Sequence, residues 1–447
     1  MLKAAVGRHG RLPLTQAKEG RIGSGQEGWH RGSNLSSLFG GGGFSIFWLF
    51  CLILFFEKGE IRQMQDKEYL MIPGPTPVPP AVYAAMSRPV GGHRTDEFAR
   101  LYMRIVEKLK KVFQTENDVF VLTNSGTGAL ETAVANTVSP GDKALALITG
   151  NFGERFAAIA RAYGAELIEL NFGYGNDVDL KAVEEKLNEH PDIKVVLATQ
   201  NETSTGVCND IAGIGALVAR TPALLLVDGV SGVGAIEIKV DEWGVDILCT
   251  ASQKAFMLPP GLAMVSVSEK AWQVVNGNRS PRFYFSLPAC KKVYGKWNTP
   301  YTPSVTLFYG LEAALDMMLA EGLDNVYARH ALLARATRAA VRALGLKLLA
   351  EDRCASNALT AVWGPEGVAA DELRKIIKKQ YGVAFAGGQG DVKGKIFRIA
   401  HMGFSDKMDV IIAISALEMA LAQTGYPVQL GAGVKAAQEV FLGREQK

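Results

Sequence analysis

The chain has 447 residues, 48% of them hydrophobic and 21% charged, with a formal net charge of +3. That length exceeds one ordinary domain and the apolar fraction supports a real core, so global disorder is excluded. Charge is nearly balanced and its positive excess sits largely in the first 35 residues, which leaves no concentrated basic face for nucleic acid.

Residues 1–43 are rich in Gly, Ser, Arg and Lys, show no apolar period, and read as disordered. The run Phe44 to Phe56 is apolar apart from Ser45. It is shorter than the about 20 residues a spanning helix needs. The region before it is too long for a signal-peptide n-region, and charged Glu57-Lys58-Gly59-Glu60 follows where a cleavage site belongs. A membrane anchor, a buried or interfacial segment, and translated upstream sequence all fit. The last is preferred, with native translation starting at Met64 and residues 1–63 a mis-assigned extension. A native N-terminal peptide from residues 1–56 would overturn that preference. A membrane role is expected only if the 44–56 segment is real.

Residues 64–95 read as an N-terminal arm, because the prolines of IPGPTPVPP forbid a helix there. A large domain is expected over 96–304. Asp96 to Gln114 carries Phe98, Leu101, Ile105, Leu109, Val112 and Phe113 at helical spacing. Short apolar runs then alternate with helical stretches. The runs are 118–123, 143–148, 166–170, 194–198, 223–227, 247–249 and 263–267; the helices are 129–138, 154–163, 180–188 and 211–219. This alternation predicts an α/β fold with a mostly parallel sheet covered on both faces. Ligands of such sheets sit beyond the carboxyl ends of the strands. A smaller α+β domain is expected over 305–447, beginning with long helices either side of Gly322 and ending in strand, helix, strand, strand, helix over 356–425.

Cys51, Cys208, Cys249, Cys290 and Cys354 form no CxxC pair and read as free thiols. The six histidines are scattered, so no metal site is expected.

Polar residues that follow strands carry the chemistry. Asn124-Ser125-Gly126-Thr127-Gly128 precedes a helix and suits a phosphate, although a tight turn accounts for it equally well. Asp228 ends a buried strand and must find a hydrogen-bond donor or a cation, for which a protonated pyridine would serve. Lys254, between a strand and Pro259-Pro260-Gly261, is poorly placed for a solvated charge. Desolvation lowers its pKa and suits a Schiff base. Arg398 lies inside the apolar strand IFRIA, where it needs an anion or a structural ion pair.

PGPTPVP, SGTGA, TGNFGER, NETSTGV, VDGVSGVGA, SQKAFMLPPG and GKIFRIAHMG, in that order from about Tyr69 to Thr424, resemble the class V aminotransferases of fold type I, which depend on pyridoxal 5'-phosphate. The alanine–glyoxylate and serine–pyruvate group is most similar. The resemblance implies a seven-stranded-type sheet and a homodimer in the cytoplasm. It implies that Lys254 holds the cofactor as a Schiff base and shuttles a proton. By the same resemblance Asp228 pairs with the ring nitrogen, and Ser125, Gly126, Thr127 and Gln253 hold the phosphate. Phe152 stacks on the ring, where many members have Trp. Thr203 reaches the ring oxygen, where Ser is common. Arg398 clamps the substrate carboxylate, and Thr302 reaches the phosphate of a neighbouring subunit. The implied activity is ping-pong transfer between alanine or serine and glyoxylate or pyruvate. An archaeal-type aspartate aminotransferase shares these motifs, and Arg94 could meet a second carboxylate. A desulfurase would need a mobile cysteine, for which Cys290 is only a remote candidate. A non-catalytic scaffold or hydrogenase-associated subunit of the same fold leaves Lys254, Asp228 and Arg398 without a task.

Overall fold

Residues 68–444 are described by the structure, a computed structural model, and the expectations for residues 1–63 lie outside the described residues. The proline-rich arm is regular only at its ends. Tyr69–Met71 forms strand β1, and Pro80 opens helix α1 (Pro80–Met86). Proline is tolerated there because the first helical amide has no partner to lose.

Helix α2 (Asp96–Phe113) shows how local chemistry fixes an element. Thr95 Oγ1 accepts from the Phe98 amide, acidic Asp96 and Glu97 occupy the first turn, and Lys110 and Lys111 the last. Each charge opposes the helix dipole at its own end. The helix stops at Gln114, whose φ of 51° is left-handed. Its apolar stripe is buried, and each fully buried large side chain contributes about 1.5–3 kcal/mol.

The alternating region then runs through β2 (Asp118–Asn124), α3 (Gly126–Thr137), β3 (Lys143–Ile148), α4 (Asn151–Ala162), β4 (Glu166–Asn171), α5 (Leu180–Glu189) and β5 (Ile193–Thr199). A hairpin of β6 (Asn201–Glu202) and β7 (Val207–Cys208) follows, then α6 (Ile211–Val218), β8 (Leu224–Asp228), β9 (Ile247–Ala251) and β10 (Gly261–Val267). Seven strands form one sheet in the order β2-β10-β9-β8-β5-β3-β4. Every pairing is parallel except those of β10, which runs antiparallel to both β2 and β9. Register places Thr199 beside Asp228, Asp228 beside Cys249, and Asn124 beside Gly261. The carboxyl ends of β2, β9, β8 and β5 therefore share one edge, and the loops after them converge there.

Sequence periodicity starts the helix after β2 at Ala129, whereas α3 begins at Gly126. Ser125 caps it through Gly128 N, so SGTG is the first helical turn rather than a separate loop. Glycine is a poor helix former, which hid that turn. Packing requires it, because a Cβ on Gly128 would stand 1.9 Å from Asn124 Oδ1.

Helices α7 (Glu269–Gly277) and α8 (Leu287–Tyr294), which periodicity did not flag, precede the long α9 (Val305–Glu321) and α10 (Leu323–Ala343). Then come β11 (Leu359–Trp363), α11 (Ala370–Tyr381), β12 (Val383–Gly387), β13 (Ile396–Ala400), α12 (Lys407–Gln423) and an unexpected α13 (Ala432–Phe441). A four-stranded sheet has the order β1-β12-β13-β11, with β1 parallel to β12 and the other pairs antiparallel. Thus the arm is an edge strand of the C-terminal sheet. Among the described residues no helix is long and apolar enough to cross a membrane.

Candidate active site

Lys254 sits in the turn after β9, and its amine donates to the carbonyl of Pro73 in the arm. The arm is fixed in return: Thr76 Oγ1 donates to the Lys254 carbonyl at 2.8 Å and Thr76 N to the Gln253 carbonyl at 3.2 Å. Gly74 packs on the lysine stem, and a Cβ there would lie 2.9 Å from Nζ. Burial lowers the Lys254 pKa to about 8, Arg398 and Arg155 add to the fall, and Asp228 opposes it.

Asp228 is buried at the end of β8, where Oδ1 accepts from Val230 N at 2.9 Å. Burial pushes its pKa up to about 7; the Val230 hydrogen bond and Lys254 resist, while Glu202 adds to the rise. Glu202 itself is fully buried. Its carboxylate accepts from the amides of Phe152 and Gly153, the first turn of α4, and from both the amide and hydroxyl of Ser204. It is a cap reaching the helix dipole from strand β6. Burial raises its pKa against those hydrogen bonds.

Phe152 is half-buried, with the Arg155 guanidinium 4.8 Å from its ring centroid. Thr203 is buried and donates to Ser231 Oγ at 2.6 Å. Arg398 lies mid-strand in β13, buried, and meets no carboxylate among the described residues. Nε donates to the Gly387 carbonyl at 2.8 Å and Nη1 to the Thr203 carbonyl at 2.7 Å. Gly387 ends β12 of the four-stranded sheet and Thr203 lies in the β6–β7 turn, so the guanidinium ties the two halves of the site. Burial lowers its pKa to about 10, with Glu202 opposing and Arg374 adding.

One cleft of about 460 Å³ is lined by Lys254, Arg398, Phe152, Thr203, Pro73 and Gly74, with Arg374 and Gln389 at its wall. Ser125, Gly126 and Thr127 form the first turn of α3; Thr127 Oγ1 accepts from Arg155 at 3.5 Å, which connects that turn to Phe152. Gln253 precedes the lysine, and its side-chain oxygen is buried without a partner, as is the Asn124 amide nitrogen. Thr302 is not brought to the cleft. It lines a separate hollow with Thr123, Asn124 and Tyr301. Arg94 is engaged with Asn298 Oδ1 and the carbonyls of Thr299 and Pro300. Cys290 lies on α8 and is buried in the core.

The family model described as Aminotransferase class-V matches residues 68–400. The chain is a class-V aminotransferase. The aminotransferase is 45% identical over 383 residues to a protein named soluble hydrogenase, small subunit, from Synechococcus sp., spanning 85% of this chain and 99% of the relative. It is 43% identical over 384 residues to the L-aspartate–glyoxylate aminotransferase of Paracoccus denitrificans, 85% of this chain and 97% of that one. Among solved structures it resembles pyridoxamine–pyruvate aminotransferase from Mesorhizobium loti, with a TM-score of 0.82 and 36% identity over 86% of this chain and 99% of that one. Membership makes the aminotransferase an enzyme and implies pyridoxal 5'-phosphate as its cofactor.

Sequence reasoning missed Glu202, Pro73, Thr76, Arg155 and Ser231 as members of the site. Only Glu202 left a signal, as an acid in the otherwise uncharged stretch after β5.

Proposed function

We propose that this aminotransferase exchanges an amino group between a small amino acid, alanine or serine, and a small 2-oxo acid, glyoxylate or pyruvate. The observation that carries the reading is a partly buried lysine amine in one cleft with a buried guanidinium that meets no carboxylate among the described residues. The residues fit the cofactor. Asp228 is a buried acid short of a cation, Gln253 and Asn124 each have an orphaned polar atom, and the first turn of α3 presents free amides. In this reading Asp228 partners the ring nitrogen, and Ser125, Gly126, Thr127 and Gln253 hold the phosphate. Phe152 lies against the ring and Thr203 serves its oxygen.

When bound, the cofactor supplies an aldehyde that condenses with amines and a ring that accepts an electron pair. The chain's own groups do the rest. Arg398 binds the donor carboxylate and fixes its orientation, which converts encounter into alignment. Lys254 Nζ, neutral in a sizeable fraction near pH 8, removes the Cα proton and later returns it. Glu202 keeps Phe152 in place, and the arm covers the lysine from the side of Pro73. The same groups act in reverse on the oxo acid, so kinetics are ping-pong. The cofactor belongs to the portion over 96–304 and the substrate carboxylate to that over 305–447. The cleft must hold cofactor and substrate together, which favours small substrates.

The enzyme works in the cytoplasm as a homodimer. Thr302 serves the partner's phosphate, a reading supported by its place outside its own cleft and by exposed Phe283 and Tyr284, which stack on half-buried Tyr301 beside it. Aspartate is the second reading, favoured by Arg374 at the cleft wall and by the name of the Paracoccus relative. Arg374 already binds Asp371 and the Phe385 carbonyl, which weighs against it.

The test is to purify the full chain with added pyridoxal 5'-phosphate and record its visible spectrum before and after L-alanine, L-serine and L-aspartate. Loss of the cofactor band with alanine or serine is expected. A response to aspartate alone selects the second reading. A protein that takes up no cofactor overturns both.

A further inference from the structure

The hairpin that carries Glu202 and Thr203 ends in a cysteine that faces another cysteine. Val207 forms an antiparallel bridge with Ala355, and Ser356 N donates to the Gly206 carbonyl at 2.8 Å. One step along the same ladder, Cys208 N donates to the Cys354 carbonyl at 2.7 Å. In an antiparallel ladder directly opposed residues put their side chains on the same face, with Cα atoms about 4.5–5.5 Å apart. That spacing falls within the roughly 4.4–6.8 Å that a disulfide spans. Both thiols are free in the structure; Cys354 is buried and Cys208 is partly exposed. The Cys354 sulfur lies 3.7 Å from the Gly175 carbonyl; burial raises the thiol's pKa, and neighbouring Arg353 opposes the rise.

We propose that Cys208 and Cys354 are a reversible oxidation site, closing into an intramolecular disulfide in the presence of a low-molecular-weight disulfide oxidant. The exchange balances. The Cys208 thiolate, after losing its proton to solvent, attacks one sulfur of the oxidant and expels the other as a thiolate. Cys354, losing its own proton, then attacks the Cys208 sulfur, and the second thiolate departs. Two thiols are oxidised to one Sγ–Sγ bond, and the oxidant is reduced to two thiols. Exchange requires the thiolate. Burial pushes the Cys208 thiol up to about 12, so the reaction is slow at neutral pH and quickens with alkali.

The pair sits where a covalent bond would be felt. Cys208 closes the hairpin whose other strand holds Glu202, the cap of α4, and the turn between holds Thr203, whose carbonyl grips Arg398. Cys354 lies in the irregular segment leading into β11, the neighbour of the Arg398 strand. Closure would therefore fasten the hairpin to the segment that supports Arg398.

The full chain is incubated with oxidised glutathione at pH 8.5, quenched with iodoacetamide and digested without reduction. A Cys208–Cys354 linked peptide is expected, lost on adding dithiothreitol. Amide hydrogen exchange over 201–208 should slow at least several-fold in the oxidised form. Individually alkylated Cys208 and Cys354, or links through Cys51, Cys249 or Cys290 instead, overturn the proposal. Cys208→Ser should abolish the linked peptide. The wild-type peptide map decides the matter even if that variant folds poorly.

Discussion

Burial sets the chemistry of the lysine. With a pKa near 8, the amine of cofactor-free enzyme becomes an effective nucleophile over the range from about pH 7 to 9. The rate of cofactor capture, followed by absorbance, should rise with pH through about 8 and level off above it. Lys254→Ala should lower single-turnover amino transfer by about 10²–10⁴-fold, the usual worth of a positioned base. Asp228 gives a prediction of opposite kind. Its folded pKa lies above the ordinary carboxylate value, so the native state holds the proton more tightly than the unfolded chain does. The stability this supplies is complete below about pH 4 and is lost as pH rises through about 7. Asp228→Asn should therefore raise the thermal midpoint of cofactor-free protein at pH 8 while cutting amino transfer at least tenfold. A lower midpoint at that pH would show that the carboxylate is already paired in the cofactor-free state.

Elements place these residues, and the sequence discloses some of that placement. Lys254, Asp228 and Ser125 were legible because a sheet buried on both faces leaves few polar residues, and those gather beyond strand ends. Arg398 was legible for the same reason, as a charge in an apolar strand. Its partners were not: it uses the backbone carbonyls of Gly387 and Thr203, which any residue type supplies. Pro73 is likewise a carbonyl without a side-chain signature. Glu202 caps a helix some fifty positions earlier in the chain, a relation no local period encodes. It receives three backbone amides and one hydroxyl, so Glu202→Ala should destabilise the fold by about 3 kcal/mol, read by urea unfolding, through donors left buried and unpaired. Glu202→Gln should recover part of that loss, since its carbonyl oxygen still accepts.

For the whole molecule, the expectation of a second copy rests on Thr302 and the aromatic group around Tyr301. Light scattering of the full chain should give twice its 48.1 kDa mass. Thr302→Ala should weaken cofactor retention, measured by dialysis, about thirtyfold, equivalent to roughly 2 kcal/mol and in the range of one hydrogen bond to a charged group. A monomer at micromolar concentration would sink this arrangement. Such a monomer would also leave the task of Thr302 unexplained.

The pairing of β1 with β12 has a consequence for how the enzyme is made. Tyr69, Leu70 and Met71 stand in register beside Val383, Ala384 and Phe385, far along the chain, and Tyr69 N donates to the Gly382 carbonyl at 2.9 Å. The arm beyond β1 carries Pro73 and Thr76, which hold Lys254 and its turn. During synthesis the arm emerges before the seven-stranded sheet, yet β12, which it pairs with, is translated only after that sheet is complete. Such distant pairings are the slow ones, because a long loop must close before they gain anything. The lysine thus acquires its surroundings late. A nascent chain arrested before Val383 should expose the arm to protease while its seven-stranded sheet resists.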